Sequence, residues 1–297
     1  MEIIKTVISR IVRLNPKRFS FLSDQMYIQL KFYDAFGRFM DFKNPKTFNE
    51  KIQWLKVNDY RPEYTTLVDK HAVKEYIAKE IGAEYVIPTL GVWDNFNDID
   101  FETLPNEFVL KCTHDSGGIV VCKDKTTLDL DAAKKKLQSS LNTCFYWMGR
   151  ERPYKDVPPR IIAEKYMGDN LIDYKLFCFS GVPKLTLVCS ERFSDGGLKE
   201  DFYDEEWNHL NIKRPQHENS SEMIEKPKQY SLMRELAEKL STTIPFSRID
   251  FYEINERVYF GEITFYPASG FEGFEPESWD YILGDWIKLP DKESTKV

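Results

Sequence analysis

Hydrophobic positions along the chain change period more than once. From Met1 to Arg18, Ile3, Ile4, Val7, Ile8, Ile11 and Val12 recur at helical spacing, with Lys5, Arg10, Arg13, Lys17 and Arg18 around them. Residues 20–66 are aromatic-rich and read as mostly helical, interrupted by the turn-forming Asn44-Pro45. Asp69 is placed to cap a helix through Val73, Ile77 and Ile81 that stops at Gly82. Period two then takes over: Phe108–Lys111 and Ile119–Lys123 are predicted strands flanking a glycine-bearing turn, Thr113–Gly118. Helical spacing returns where Asp131 opens a helix carrying Leu137, Leu141 and Phe145 on one face. The charged, proline-bearing stretch from Gly149 to Pro159 marks another change. Strands are predicted at Arg160–Tyr166, at Tyr174–Phe179 and at Lys184–Cys189, the last two paired about Ser180-Gly181. Ser190 to about Glu225 is polar and weakly patterned. Leu232, Leu236 and Leu240 form a helical stripe, and Arg248–Ile254 with Val258–Thr264 form a hairpin through Asn255-Glu256. Helices followed by two β-rich lobes describe an α+β chain with segregated sheets, not a βαβ succession.

The length, 297 residues, fits about two units at roughly 150 residues each. The pattern divides into a helical region (1–68), a first lobe (69–165), a second lobe (166–290) and a short tail (291–297). With 42% hydrophobic and 30% charged residues, the chain is neither disordered nor fibrous. A net charge of −7 argues against a protein that coats nucleic acid. No apolar run approaches the ~18 residues of a membrane span. Cys112, Cys122, Cys144, Cys178 and Cys189 form no C-x-x-C pair and read as reduced thiols of a cytosolic protein. His71, His114, His209 and His217 are too scattered for a histidine metal site. The first eighteen residues lack the unbroken apolar segment and cleavage site of a signal peptide. Two readings of them stay open: a helix packed on the domain, or an interfacial helix on an anionic cytoplasmic leaflet.

The last hairpin carries the most chemistry. Period two puts Arg248 and Asp250 on one face, and Glu262 with Thr264 likewise. A three-residue loop at 255–257 would set Asp250 opposite Glu262, whereas a two-residue loop would send them to opposite faces. Opposed carboxylates repel and need a cation between them. Oxygen ligands without histidine or thiolate suit magnesium. Lys111 ends a strand entering Thr113-His114-Asp115-Ser116-Gly117-Gly118, a turn whose backbone N–H groups could approach a phosphate, provided Asp115 points away. Lys70 and Lys74, one helical turn apart, read as solvated surface lysines. Glu164 lies in an apolar strand and needs a partner if buried, and Asp173 and Lys175 alternate along the next one. There is no Ser/His/Asp order for a nucleophilic triad, and neither a Walker nor a Rossmann glycine motif.

In their order these segments resemble the ATP-grasp superfamily, and within it the TupA-like branch, over about residues 40–290. The stretches that carry the likeness are Lys46-Thr-Phe-Asn-Glu-Lys-Ile-Gln-Trp54, Asp69-Lys-His-Ala-Val-Lys74, Phe108-Val-Leu-Lys-Cys-Thr-His-Asp-Ser-Gly117, Asp173-Tyr-Lys-Leu-Phe-Cys-Phe179 and Gly261-Glu-Ile-Thr-Phe-Tyr-Pro-Ala-Ser-Gly270. The resemblance implies two β-rich lobes clasping ATP. By position it implies that Lys74 and Lys111 hold nucleotide phosphates under a mobile loop, His114 to Gly118. It makes Glu164, Lys165, Tyr166 and Met167 the hinge that meets adenine, with Asp173 toward the ribose and Lys175 beside it. Arg248 would steady the transferring phosphoryl group. Asp250 and Glu262 would hold Mg2+, with Thr264 standing where many members have asparagine. Ser269-Gly270 resembles a turn that contacts substrate.

That family joins a carboxylate to an amine through an acyl phosphate, chemistry that needs cations and alignment but no enzyme nucleophile. The resemblance thus implies a ligase of bacterial surface-polysaccharide synthesis. It would act in the cytoplasm or at the inner face of the membrane, amidating a uronic-acid carboxyl of a glycan, sugar-nucleotide or lipid-linked saccharide. Two alternatives stay open. Asp98-Ile-Asp100 and Asp129-Leu-Asp131 offer the D-x-D pattern of glycosyltransferases, and the same scaffold could phosphorylate a sugar hydroxyl.

Overall fold

The computed structural model describes residues 2–12, 14–169, 171–191 and 197–291. Helices α1 (Glu2–Val12), α2 (Asp24–Phe36), α3 (Phe48–Asn58), α4 (Glu63–Val68) and α5 (Ala72–Glu80) lead into the first strands. Ser23 caps α2, and Gly37 ends it in the left-handed conformation. α3 starts with a capping box, in which Thr47 and Glu50 satisfy each other's backbone N–H groups. As predicted, Asp69 accepts from the amides of His71 and Ala72 at the start of α5.

Strands β1 (Thr89–Trp93), β2 (Phe108–Cys112), β3 (Ile119–Cys122) and β4 (Ile161–Lys165) form an antiparallel sheet in the order β1-β4-β2-β3. Between β3 and β4 come α6 (Leu130–Leu141) and α7 (Tyr146–Gly149). Asp129, not Asp131, caps α6, and Phe145 falls outside it. Phe108, Leu110, Leu137 and Ile161 form the core beneath this sheet.

The second sheet has six strands: β5 (Asp173–Phe179), β6 (Val182–Ser190), β7 (Lys199–Tyr203), β8 (His209–Leu210), β9 (Phe246–Ile254) and β10 (Arg257–Thr264). Their order is β10-β9-β5-β6-β7-β8. β7 and β8 lie in the weakly patterned stretch, where a short edge strand leaves little periodicity to read. α8 (Tyr230–Ser241) carries the leucine stripe and buries Met233, Leu236 and Leu240 on this sheet. α9 (Ser278–Trp286) had no sequence signal. It is fixed by the buried Asp280 carboxylate, which accepts from the backbone and side chain of Asn49 at 3.0 and 2.9 Å. Phe48 on α3 packs edge-on against Phe246 and Phe274, so the helical region shares the large core of the second lobe. The two sheets are joined by the segment after Lys165, the predicted hinge position.

All five cysteines are free thiols. α1 packs against α2, with Ile8 buried and Ser9 donating to Asp34. This agrees with the packed reading of the N-terminus for those residues. The side chains of Ile3, Ile4, Lys5 and Val7, and Met1, Arg13 and residues 292–297 entirely, lie outside the described residues. No helix among the described residues is long and apolar enough to cross a membrane.

Candidate active site

The β9–β10 hairpin corrects one step of the sequence argument. Its turn has two residues, Asn255 and Glu256, with φ of 52° and 63°, the pattern of a type I′ turn. Near the tip, Tyr259 faces Tyr252 and Phe260 faces Phe251. A β-bulge between Phe260 and Glu262 then shifts the register by one residue. Beyond it Glu262 faces Asp250 and Thr264 faces Arg248. The two carboxylates are opposed after all, through the bulge and not through a longer loop.

The cation between them is Arg248. Its Nε donates to Asp250 Oδ1 at 2.7 Å, and its Nη2 donates to Asp250 Oδ2 and Glu262 Oε1 at 2.7 Å each. Thr264 Oγ1 accepts from the same Nη2 at 3.1 Å and donates to Glu262 Oε1 at 3.1 Å. From β5, Lys175 Nζ reaches Asp250 Oδ2 at 2.5 Å and lies 3.7 Å from Asp173. Burial depresses the Lys175 ammonium, but the Asp250 and Asp173 carboxylates together outweigh it and raise its pKa. The Asp250 side chain is 2% exposed, whereas that of Glu262 is 46% exposed. Desolvation in the cleft raises the Glu262 carboxyl, yet Arg248, Lys175 and Lys70 hold it at about 2. Asp173 is buried. Tyr252 donates to it from the facing strand, and burial followed by that carboxylate pushes the phenol well up.

The donor set Asp250, Glu262 and Thr264 consists of hard oxygens, with no imidazole or thiolate in it, and so fits magnesium. Among the described residues no group of three or more His, Cys, Asp or Glu could hold a metal. Two protein carboxylates completed by phosphate oxygens is the mode magnesium favours.

On the first lobe Val109 of β2 faces Glu164 of β4, which places Lys111, two residues on, on the same face as Glu164. Glu164 is buried and accepts from both predicted phosphate lysines: Lys74 Nζ at 2.5 Å and Lys111 Nζ at 2.7 Å. Burial pushes its carboxyl up, but Lys111 and Lys74 prevail and hold it below the ordinary value. Lys70, read from the sequence as a solvated lysine, is a third cation of this group. Its ammonium donates to the Asp115 carbonyl, and burial lowers its pKa against the attraction of Glu262 across the cleft. The signal was its place one turn before Lys74 in the segment Asp69–Lys74. A buried carboxylate with a depressed pKa stabilises the fold above its unfolded value of about 4.5 and loses that contribution as pH falls below it. Going from about pH 6 to about pH 3 should therefore lower the urea midpoint more in the wild type than in Glu164→Gln.

Within the glycine turn, Thr113, His114, Asp115 and Gly118 are buried while Ser116 and Gly117 are exposed. The Asp115 carboxylate accepts from the Gly118 amide at 3.2 Å and so folds back onto its own loop. His114 Nε2 lies against the carbonyls of Ser140 and Thr143, at 3.2 and 3.1 Å, at the end of α6. Asp115 braces the loop from within, His114 fastens it to the end of α6, and Ser116 and Gly117 form its open tip. Lys165 alternates away from Glu164 and lines, with Leu90, Pro105 and Tyr166, an open groove of about 430 Å³. Met167 follows in the segment that leads to β5.

Ser269 and Gly270 lie in a turn with three successive left-handed residues: Ala268 at φ 46°, Ser269 at 53° and Gly270 at 62°. Only glycine fits the last position, because a Cβ there would lie 2.5 Å from Gln53 Nε2 and 2.7 Å from Ile52 Cγ2. Two side chains of α3, which the sequence reading did not single out, hold the turn. Gln53 Nε2 donates to the carbonyls of Ser269 at 3.0 Å and Gly270 at 2.6 Å. Lys56 Nζ donates to the Gly149 and Ser269 carbonyls at 2.9 and 2.7 Å, and to Ser269 Oγ at 2.9 Å. Burial lowers the Lys56 pKa to about 7, against the pull of the nearby buried Glu151. Tyr154, three residues on, is raised well above the ordinary phenol value, first by burial and then by Glu151 and Glu262.

The two D-x-D tripeptides serve local structure. Asp100 accepts from the Glu102 amide and Asp129 from the Ala132 amide, while Asp98 accepts from the Asn95 side chain.

Two antiparallel sheets, the first carrying a glycine turn and Lys111 beside the lysines at the start of α5, the second an arginine between opposed carboxylates, agree with an ATP-grasp fold. The family described as TupA-like ATPgrasp matches residues 50–288, and the chain belongs to it. None of the curated proteins compared with the chain matches it. Similar solved structures include the D-alanine–D-alanine ligase of Bacillus anthracis complexed with ATP (18% identity, TM-score 0.43, 75% of this chain and 65% of that one). The L-amino acid ligase of Bacillus licheniformis (10%, 0.47, 92% and 64%) is another. A third is the N5-carboxyaminoimidazole synthetase of Staphylococcus aureus (17%, 0.38, 76% and 53%). The chain spans 65% or less of the length of each of these three proteins.

Proposed function

We propose that the protein is an ATP-dependent carboxylate–amine ligase. The observation that supports this reading is a pair of clusters: the ammonium groups of Lys74 and Lys111 gathered on Glu164, with Lys70 on the Asp115 carbonyl beside them, and Arg248 held between Asp250 and Glu262 on the second sheet. Lys70, Lys74 and Lys111 neutralise nucleotide phosphates, with Glu164 holding the last two side by side. Asp250, Glu262 and Thr264 would hold Mg2+, which supplies further neutralisation of phosphate charge when bound. Arg248, positioned bidentately by Asp250, steadies the transferring phosphoryl group. A substrate carboxylate oxygen forms a bond to the γ-phosphorus as the β–γ bridge breaks and ADP leaves. The amine nitrogen then bonds to the acyl carbon and phosphate departs, which requires alignment and water exclusion but no enzyme nucleophile.

The substrate proposed is a uronic-acid carboxyl of a bacterial surface-polysaccharide precursor, made in the cytoplasm where ATP is at hand, and joined to an amino acid or another amine. The 267–270 turn held by Gln53 and Lys56 is the proposed substrate contact. ADP release measured over a panel of uronic acids crossed with amino acids tests this, and release that needs both partners is the expected result. ADP formed with a sugar hydroxyl and no amine would make the protein a kinase instead. ATP with magnesium should raise the melting temperature and UDP-sugars should not; the reverse would favour a glycosyltransferase. Lys111→Ala should weaken nucleotide binding by roughly tenfold to a hundredfold, read by titration calorimetry, because it removes one charge-assisted phosphate contact.

A further inference from the structure

α1 turns its buried Ile8 onto α2, so for that residue the apolar stripe serves packing. The connection between the two helices and the first turn of α2 do the opposite. Leu14 is 46% exposed, Phe21 78% and Met26 57%, all within thirteen residues. Among the described residues these large apolar side chains stay mostly open to water, Phe21 meeting only the tilted ring of its neighbour Phe19 at 6.3 Å between centroids. Lys17 and Arg18 stand exposed in the 3-10 turn Pro16–Phe19, and Arg10 is exposed on the last turn of α1. The sole acid from residue 14 to residue 26 is Asp24. Its carboxylate already accepts from the Tyr146 hydroxyl at 2.6 Å and lies 3.8 Å from the Arg150 guanidinium. A chain of net charge −7 therefore keeps one stretch basic and apolar together, with its one carboxylate neutralised from within.

We propose that the α1–α2 connection is a docking surface for an anionic lipid bilayer. Phe21, Leu14 and Met26 enter the headgroup boundary, and Lys17, Arg18 and Arg10 face the lipid phosphates. An apolar insertion flanked by cations is the combination that interfacial binding requires. A protein partner of matching shape would need no such cations, and an acidic one would not call for an aromatic ring 78% open to water. The inference stands apart from the ligase reading, since it uses no residue of the cleft.

The test is co-sedimentation of the full chain with vesicles of phosphatidylcholine alone, and of phosphatidylcholine mixed with phosphatidylglycerol. Binding to the anionic vesicles only, weakened by added salt, is the expected result. Phe21→Ser and the double variant Lys17→Glu with Arg18→Glu should each reduce the partition coefficient roughly tenfold. Because these side chains are exposed, both variants should keep the wild-type melting temperature. Equal binding by wild type and variants, equal binding to neutral vesicles, or no sedimentation at all would overturn the proposal. So would light scattering that shows Phe21→Ser abolishing a self-association while vesicle binding is unaffected.

Discussion

Glu262→Gln should lower kcat by about 10³-fold while leaving the dissociation constant for ATP within a few-fold of the wild type, since it removes charge where charge moves. Glu262 is half-exposed toward the cleft, and its one oxygen bonded here is shared between Arg248 and Thr264. Glutamine keeps that oxygen and the shape of the side chain, so folding should change by no more than about 1 kcal/mol. What it loses is the negative charge that places a divalent ion and balances Arg248. Single-turnover measurement of ADP formation, beside an ATP titration, separates the two. Wild-type turnover in this variant would remove Glu262 from the chemistry.

Asp250→Ala should act on folding as well as on rate, and costs about 3–5 kcal/mol of stability, read from urea unfolding. Asp250 is 1% exposed and holds both the Arg248 fork and the Lys175 ammonium. Truncating it leaves a cation in the interior whose remaining partner, Asp173, is 3.7 Å away. Arg248 keeps Glu262, which places the loss toward the lower end. The contrast between these neighbours is itself a check. If Glu262→Gln destabilised the protein as much as Asp250→Ala, the assignment of one to catalysis and the other to support would fail.

Most strands could be read from the sequence because they are short runs of β-branched and aromatic residues bounded by turn formers, even where burial on both faces removes the alternation, as in Asp173–Phe179. Glu164 was flagged for the right physical reason, a carboxylate in an apolar strand, and its partners proved to be the two lysines already singled out. The opposed carboxylates were anticipated through the wrong device. A loop-length argument assumes unbroken register, and the one-residue bulge at Gly261 leaves no mark in hydrophobic period. Lys70 was read as solvated, and Lys56 passed over, for a different reason. A lysine reads as solvated unless the surroundings of its ammonium are known, and those come from residues far along the chain: Asp115 for one, Gly149 and Ser269 for the other. β1, β7, β8 and α9 were missed because their anchors are likewise distant, as the pairing of Val92 with Ile162 and the grip of Asp280 on Asn49 show.

The grip of Gln53 and Lys56 on the 267–270 turn has a practical corollary for anyone trimming this protein. A fragment beginning at Asp69, which would keep both β-rich lobes read from the sequence, would leave three consecutive left-handed residues without the side chains that hold them. The helices ahead of the sheets belong to the same packed body, and a fragment without them would lose both the hold on that turn and part of the shared core.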